Sequence, residues 1–207
     1  MVGVSLFLVA AEWGIAPMGH LALAILATQA GFLCLAFAGA TWRGAPARAG
    51  LGLNPPKQPL SLPVASGFVL GTLLLSFILA WLLESTDMVE DSTLAEWAHR
   101  FAEIEIGQLP YFLIGIALLP AIAEELLFRG FLFGRLSDRF GPRFGLLGSS
   151  ILFGAAHLDL MQGLAAFGLG LYLGGVRLRT GSVHVCILCH ASNNTLAILA
   201  PRFLSFP

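Results

Sequence analysis

The pattern of apolar and polar positions divides this chain into long hydrophobic stretches separated by short polar connections. The apolar segments lie at about 2–16, 19–41, 62–83, 109–137, 144–159, 161–177 and 182–200. A helix that spans a membrane needs roughly 20 apolar residues, so most of these segments can cross a bilayer. Segment 2–16 is short and contains Glu12. Segment 109–137 exceeds one span, which predicts a helix whose last turns emerge into water.

The composition favours the same architecture. Of the 207 residues, 57% are hydrophobic and 11% are charged, whereas an average soluble domain has about 25% charged residues. A soluble fold of this length could not bury so much apolar surface. We therefore predict an all-α, polytopic bundle of six to eight transmembrane helices that encloses a polar cavity. This bundle forms one integral membrane domain over residues 1–207 and leaves no length for a separate soluble domain.

The connecting loops differ in the sign of their charge. Residues 43–61 contain three basic residues and no acid, and residues 135–143 contain three arginines and one aspartate. Residues 84–105 contain seven acidic residues and one arginine. The positive-inside rule then places the basic loops in the cytoplasm and the acidic loop outside. The net charge of -1 gives no indication of a nucleic-acid partner, and the Ala-, Gly-, Leu- and Arg-rich composition predicts a bacterial inner membrane protein.

Several ionisable or amide side chains occur within the apolar segments. They are, in chain order, Glu124, Glu125, Arg129, His157, His190 and Asn194. An ionisable group within a span costs on the order of 2.5–3.5 kcal/mol on insertion scales and commonly marks a functional site. Glu125 and Arg129 are four residues apart, so they can pair on one helix face. Glu124 is rotated by about 100° from its neighbour Glu125.

Counting along the chain places these side chains at a similar depth. If the chain turns at residues 141–142, Glu124 and His157 lie at nearly equal distances before and after the turn. His190 and Asn194 are one turn apart on a single face of the last segment. We therefore predict that three helices bring a carboxylate, two imidazoles and a carboxamide to one intramembrane cavity.

Three short motifs carry a resemblance to a known family. Residues 124–129 (EELLFR) fit the pattern EExxxR, residues 153–157 (FGAAH) fit FxxxH, and residues 190–194 (HASNN) fit HxxxN. In this order they resemble the signature of the CPBP intramembrane proteases. That family includes the Ras-converting CAAX prenyl endopeptidases and bacterial proteins called Abi. The resemblance covers about 110–200, which predicts a catalytic core at 109–200.

The resemblance implies a role for each of four residues. Glu124 would activate the attacking water, and His157 would orient that water or assist proton transfer. His190 and Asn194 would hold the oxyanion of the tetrahedral intermediate, which needs fixed donors in a dry site. The implied reaction is hydrolysis of a peptide bond in a membrane-associated protein or peptide. The substrate would carry a CAAX-type end or a C-terminal sorting signal.

The resemblance also implies that Glu125 and Arg129 support the site structurally. We predict that the reaction needs no cofactor. The alternative is a zinc ion held by Glu124, His157 and His190, which would form a set of two histidines and one carboxylate. The sequence lacks the HExxH pattern of many zinc proteases.

Two other function classes stay open at this point. The carboxylates and histidines could relay protons in a transporter, although such a relay does not need the oxyanion donors of HxxxN. The chain could also be a non-catalytic scaffold or immunity protein, against which the intact motifs argue. Residues 186–190 match CxxCH, the attachment pattern of c-type haem. They lie within an apolar segment, so we predict that Cys186 and Cys189 act as small apolar packing residues.

Overall fold

A computed structural model of the protein describes residues 21–44, 46–86 and 93–203. Every regular element within these ranges is a helix, which confirms the predicted all-α architecture. The segment predicted at 2–16 lies outside the described residues. A short 3-10 turn at Trp42–Gly44 follows the first described helix.

Eight helices follow one another along the described part of the chain. They are α1 (Leu21–Thr41), α2 (Ala47–Gly50), α3 (Leu62–Glu84), α4 (Thr93–Ala102), α5 (Ile106–Phe140), α6 (Pro142–Ala155), α7 (Leu160–Thr180) and α8 (Val183–Phe203). Among them, α1, α3, α5 and α8 are long and apolar enough to cross a membrane. The chain is therefore an integral membrane protein with a helical bundle.

The expectation that 144–159 forms a complete span is wrong. Helix α6 has 14 residues, which is about 21 Å at 1.5 Å per residue. The hydrocarbon core of a bilayer is about 30 Å thick, so α6 cannot cross it. The turn before α6 is where the sequence predicted it: Gly141 has a φ of +91°, and Pro142 occupies the first helical position, where its missing N–H costs nothing.

Helix α5 is continuous but not uniformly α-helical. Two stretches, Leu113–Leu118 and Leu126–Leu132, have π-helical hydrogen bonding, and the α-helical stretch Leu119–Glu125 lies between them. The wider turns of a π-helix are rare and occur frequently at functional sites. The stretch that carries Glu124 is therefore bounded on both sides by local changes in helical register.

The basic loops meet at one end of the bundle. Arg135 near the end of α5 donates a hydrogen bond to Gly39 O in α1 at 3.2 Å. The backbone N–H of Lys57 donates to Thr180 O at the end of α7 at 2.8 Å. The positive-inside rule assigns this end to the cytoplasm.

An apolar cluster closes the other end. Trp97 and Phe101 of α4 are buried against Ile25 near the start of α1, Ile116 near the start of α5 and Ile198 near the end of α8. Helix α4 therefore packs where these three spans end, on the side opposite the basic loops. Of the acidic residues of 84–105, the described Glu84, Glu103 and Glu105 accordingly lie at the opposite end from the basic loops, as the charge pattern predicted.

Gly130 provides a test of the packing between α5 and the loop after α2. A Cβ at Gly130 would clash with the backbone carbonyl oxygen of Leu51, a residue with no exposed surface. Overpacking of this kind typically costs about 1–3 kcal/mol. We therefore expect Gly130→Ala to lower the melting temperature of the purified protein, measured by circular dichroism in detergent.

Gly134→Ala is the matched control, one helical turn further along α5. A Cβ at Gly134 meets nothing within 4 Å, and alanine favours helix over glycine by about 1 kcal/mol. We expect Gly134→Ala to melt at the wild-type temperature or higher. Equal melting temperatures for the two variants would contradict the packing described here.

Candidate active site

The part of α5 that carries the adjacent glutamates is completely buried. Glu124, Glu125 and Arg129 all have 0% exposed surface. A buried charge is costly unless it is paired or hydrogen bonded. Arg129 Nη1 donates to Glu125 Oε1 at 2.8 Å, so the pair expected from the spacing of four is present. Glu125 and Arg129 thereby hold one another within a single helix.

His190 of α8 connects the two glutamates. Its Nδ1 lies 2.9 Å from Glu125 Oε1, and because a carboxylate only accepts, this nitrogen carries the hydrogen. Its Nε2 lies 3.9 Å from Glu124 Oε2. In the neutral ring, Nε2 is therefore an acceptor, and it becomes a donor only when the ring is an imidazolium.

His157 lies in the turn between α6 and α7 and is 6% exposed. Its Nδ1 lies 2.9 Å from Phe153 O, and because a carbonyl only accepts, Nδ1 is the protonated nitrogen. The lone pair of Nε2 is then available for a proton or a water hydrogen.

The turn that holds His157 is sharply defined. Leu158 has a φ of +58°, which a non-glycine residue adopts only rarely. The carboxylate of Asp159 then accepts from the backbone N–H of Gln162 at 2.7 Å, which caps the start of α7. The chain therefore leaves α6, presents His157 and enters α7 within a few residues.

Phe153 supports both imidazole rings. Its ring meets His157 and His190 edge to face, with centroid distances of 5.0 Å and 5.8 Å. The guanidinium carbon of Arg129 lies 4.1 Å from the centroid of the same ring, a favourable cation–π distance. Sequence reasoning used Phe153 only as a motif letter and missed this packing role.

Asn194 is fixed by a backbone group of α5. Its Nδ2 donates to Ile116 O at 3.4 Å, and its Oδ1 accepts from Asn193 Nδ2 at 3.5 Å. The bond to Ile116 O links the carboxamide of α8 to the backbone of α5.

A cavity of about 240 Å³ lies beside these side chains, between α3, α7 and α8. Its polar wall includes His157, His190 and Asn194, three of the four residues that the sequence assigned to the site. Glu124 is not part of the wall, and its nearest link to the cavity is the 3.9 Å approach to His190 Nε2. Gln162 also lines the cavity, and sequence reasoning missed it although it is polar within an apolar segment.

The residues do not fit the zinc alternative. Within the ranges that the structure describes, no three His, Cys, Asp or Glu side chains are grouped as metal ligands are. Glu124, His157 and His190 are therefore neighbours without forming a ligand set. We derive no step of the reaction through a metal.

The two cysteines of the haem-like pattern are packing residues. Cys186 and Cys189 are free and buried, and they form an apolar cluster with Leu169, Leu173 and Val176 of α7, among others. This is the role that their apolar surroundings predicted.

A family model matches the part of the chain from α5 into α8. Residues 106–196 match the family model of the type II CAAX prenyl endopeptidase Rce1-like proteins. This range contains all three motifs, so the resemblance to the CPBP proteases is confirmed. At the level of the family, the match is to membrane proteases.

A curated relative matches part of the chain. The protein named "Putative membrane peptidase YdiL" from Bacillus subtilis is 31% identical over 94 residues, which are 45% of this chain and 38% of that protein. The chain therefore matches well under half of that relative's length. No solved structure matches the chain.

The buried pair of Arg129 and Glu125 generates a stability prediction. Removal of one partner from a buried ion pair typically costs about 3–5 kcal/mol, because the other charge is left uncompensated. We expect Arg129→Met to lower the melting temperature strongly. In the double variant with Glu125→Gln, no charge remains to be compensated, so much of the loss should be recovered. Thermal unfolding in detergent measures both, and a double variant no more stable than Arg129→Met would contradict the pairing.

Proposed function

We propose, from the match of residues 106–196 to the Rce1-like endopeptidases, that this chain is an intramembrane endopeptidase. Its reaction is the hydrolysis of a peptide bond in a membrane-associated protein or peptide. The observation that carries the proposal is the contact of His190 with both Glu124 and Glu125 beside a cavity that His157 and Asn194 also line. These groups supply a base, a water-orienting acceptor and oxyanion donors in one place.

Glu124 is the general base of the proposed reaction. Its carboxylate takes a proton from a water molecule, and the water oxygen forms a bond to the carbonyl carbon of the scissile peptide. The carbonyl electron pair moves to oxygen to give a tetrahedral oxyanion. When the oxyanion collapses, the C–N bond breaks, and the proton held by Glu124 passes to the leaving nitrogen. The products are a carboxylic acid and an amine, and Glu124 is again a carboxylate.

The histidines have different roles in this scheme. His157 Nε2 accepts the second hydrogen of the water and so orients its attacking lone pair. His190 acts on the oxyanion as an imidazolium, because its Nδ1 hydrogen is used by Glu125. Glu125 and Glu124 supply the negative charge beside that imidazolium. Asn194 provides the second donor, and fixed donors of this kind are often the largest contribution to acyl-transfer catalysis.

The cavity wall indicates the class of substrate. Beside its polar residues, the wall is apolar, with contributions from Leu79, Ala80 and Leu83 of α3 and from Leu169 of α7. A peptide attached to a lipid or to a transmembrane tail would bring such apolar surface to the site. We propose a CAAX-type prenylated end or a C-terminal sorting signal as the segment cut, in the inner membrane of a bacterium.

A proton-relay transporter is less well supported. A relay needs polar groups along a path between the two sides of the membrane. In the described helices, the cluster around Trp97, Phe101 and Ile116 fills the end of the bundle beyond the site with apolar side chains. The polar groups of α5 and α8 are therefore arranged around a single pocket.

The role of Glu124 is tested by Glu124→Gln, which keeps the shape of the side chain and removes the base. General acid–base groups typically contribute about 10²- to 10⁴-fold, and we expect a loss of this size in kcat/KM. The assay uses purified protein in proteoliposomes and a quenched fluorescent peptide that ends in a farnesylated CAAX sequence. In parallel, the termini of membrane proteins are mapped in host cells that carry the wild-type or the variant enzyme.

Glu103→Gln is the matched control, since Glu103 has a largely exposed carboxylate outside the site. It should cleave at the wild-type rate. Wild-type cleavage by Glu124→Gln would remove Glu124 from the mechanism. Ion flux without cleavage in the same proteoliposomes would support the transporter instead.

The grouping of donors generates a prediction on metals. Because Glu124, His157 and His190 are not arranged as a ligand set, we expect EDTA and 1,10-phenanthroline to leave the cleavage rate unchanged. Metal content of the purified protein is measured in parallel by mass spectrometry. Loss of activity on chelation, restored by Zn²⁺, would establish the zinc alternative.

A further inference from the structure

Helix α1 buries an amide side chain that the proposed mechanism does not use. Gln29 is 1% exposed, and within the part of the chain that the structure describes neither its Oε1 nor its Nε2 has a hydrogen-bond partner. A buried polar group left without a partner costs about 1–3 kcal/mol. Nearly all such groups in native proteins are paired, so each exception requires an explanation.

The packing of α1 on α5 shows which part of α5 lies opposite Gln29. Ile25 belongs to the same buried cluster as Ile116 and Ala117. Two turns later, the rings of Phe32 and Phe128 meet edge to face at 5.8 Å. The two helices therefore run in the same direction, and Gln29 lies between these two contacts. The Leu119–Glu125 stretch of α5, which packs directly on α1, lies between them as well.

The contacts of α5 with α1 involve Ala117, Phe128 and, nearer the cytoplasmic end, Arg135, which bonds to Gly39 O. Glu124 lies between Ala117 and Phe128, in the stretch of α5 that packs on α1. Gln29 follows Ile25 by one turn on α1. Both side chains are buried, at a similar level of the two helices.

We propose that Gln29 is a positioning residue for Glu124, an inference that rests on the proposed protease function. Its Nε2 group donates to the Glu124 carboxylate, and its Oε1 accepts from water in the site. Glutamine has a donor and an acceptor at its tip, so it can serve both at once. Catalytic hydrogen bonds commonly tighten only when substrate is bound. This accounts for the lack of a hydrogen bond from the Gln29 amide in the structure without substrate.

The first test is Gln29→Met, which keeps the length of the side chain and removes its hydrogen bonding. Misplacement of a catalytic group by about 1 Å can cost about 100-fold in rate, so we expect kcat for the farnesylated peptide to fall 10- to 100-fold. KM should not change, because Gln29 does not touch the cavity. The melting temperature should stay the same or rise, since the variant no longer buries an unpaired amide.

Thr28→Val is the matched control on the neighbouring position. The hydroxyl of Thr28 donates to Ala24 O at 2.9 Å, so its hydrogen bond is made within α1 and not to the site. We expect wild-type kcat for this variant. A purely structural role for Gln29 would instead lower the melting temperature together with activity in Gln29→Met.

The second test measures the geometry without any substrate. Gln29→Cys and Glu124→Cys are combined in a protein whose Cys34, Cys186 and Cys189 are replaced by alanine, and the membranes are treated with a bifunctional thiol reagent whose length matches the two removed side chains. We expect a cross-link between positions 29 and 124. Thr28→Cys with Glu124→Cys, whose first position is rotated by about 100° on α1, should form it much more slowly.

The outcomes separate this inference from the proposed function. Wild-type kcat in Gln29→Met, while Glu124→Gln is inactive, overturns the role of Gln29 and leaves the protease intact. Failure of positions 29 and 124 to cross-link overturns it equally. If Glu124→Gln cleaves at the wild-type rate, Glu124 is not the base, and its positioning by Gln29 falls with it. If the wild-type protein itself does not cleave, the proposed function fails.

Discussion

The buried carboxylate oxygen Glu125 Oε1 holds the bundle and its site together. It accepts from Arg129 within α5 and from His190 across on α8, at 2.8 Å and 2.9 Å. In lipid, apolar surface does little to drive helices together, so packing and polar contacts must define how they meet. This oxygen fixes the depth of α8 against α5, and it also fixes the tautomer of His190. Because Nδ1 bonds to Glu125, the nitrogen that faces Glu124 is Nε2.

The two adjacent glutamates have different roles because the helix turns their side chains in different directions. A rotation of about 100° per residue turns Glu125 toward Arg129 and Nδ1 of His190, while Glu124 approaches Nε2 of the same ring. Ile116 O, earlier on α5, accepts a hydrogen bond from Asn194. A few residues of α5 therefore determine how both functional side chains of α8 are oriented.

The sequence could predict those features that depend on local spacing. The pair of Glu125 and Arg129 follows from an interval of four, and the turn at residues 141–142 follows from glycine and proline chemistry. The end of α6 could not be predicted from hydropathy, because the apolar run continues past Ala155. The capping of α7 by Asp159 ends that run, and its signal in the sequence is a single residue.

Features that depend on contacts between distant segments could not be predicted from the sequence. Phe153 packs on two histidines from different parts of the chain, and no pattern within one segment encodes this. Gln29 is an isolated polar residue in an apolar helix, and its depth relative to Glu124 appears only once α1 and α5 are seen side by side. The π-helical stretches of α5 likewise have no hydrophobic period that distinguishes them.

The shortness of α6 has a consequence for how a hydrolytic site obtains its reagent within lipid. With 14 residues, the helix falls about 9 Å short of the hydrocarbon thickness. A bilayer accommodates such hydrophobic mismatch by thinning locally. The thinning would occur beside the His157 turn, so bulk solvent would have a shorter distance to travel there than anywhere else along the protein's perimeter.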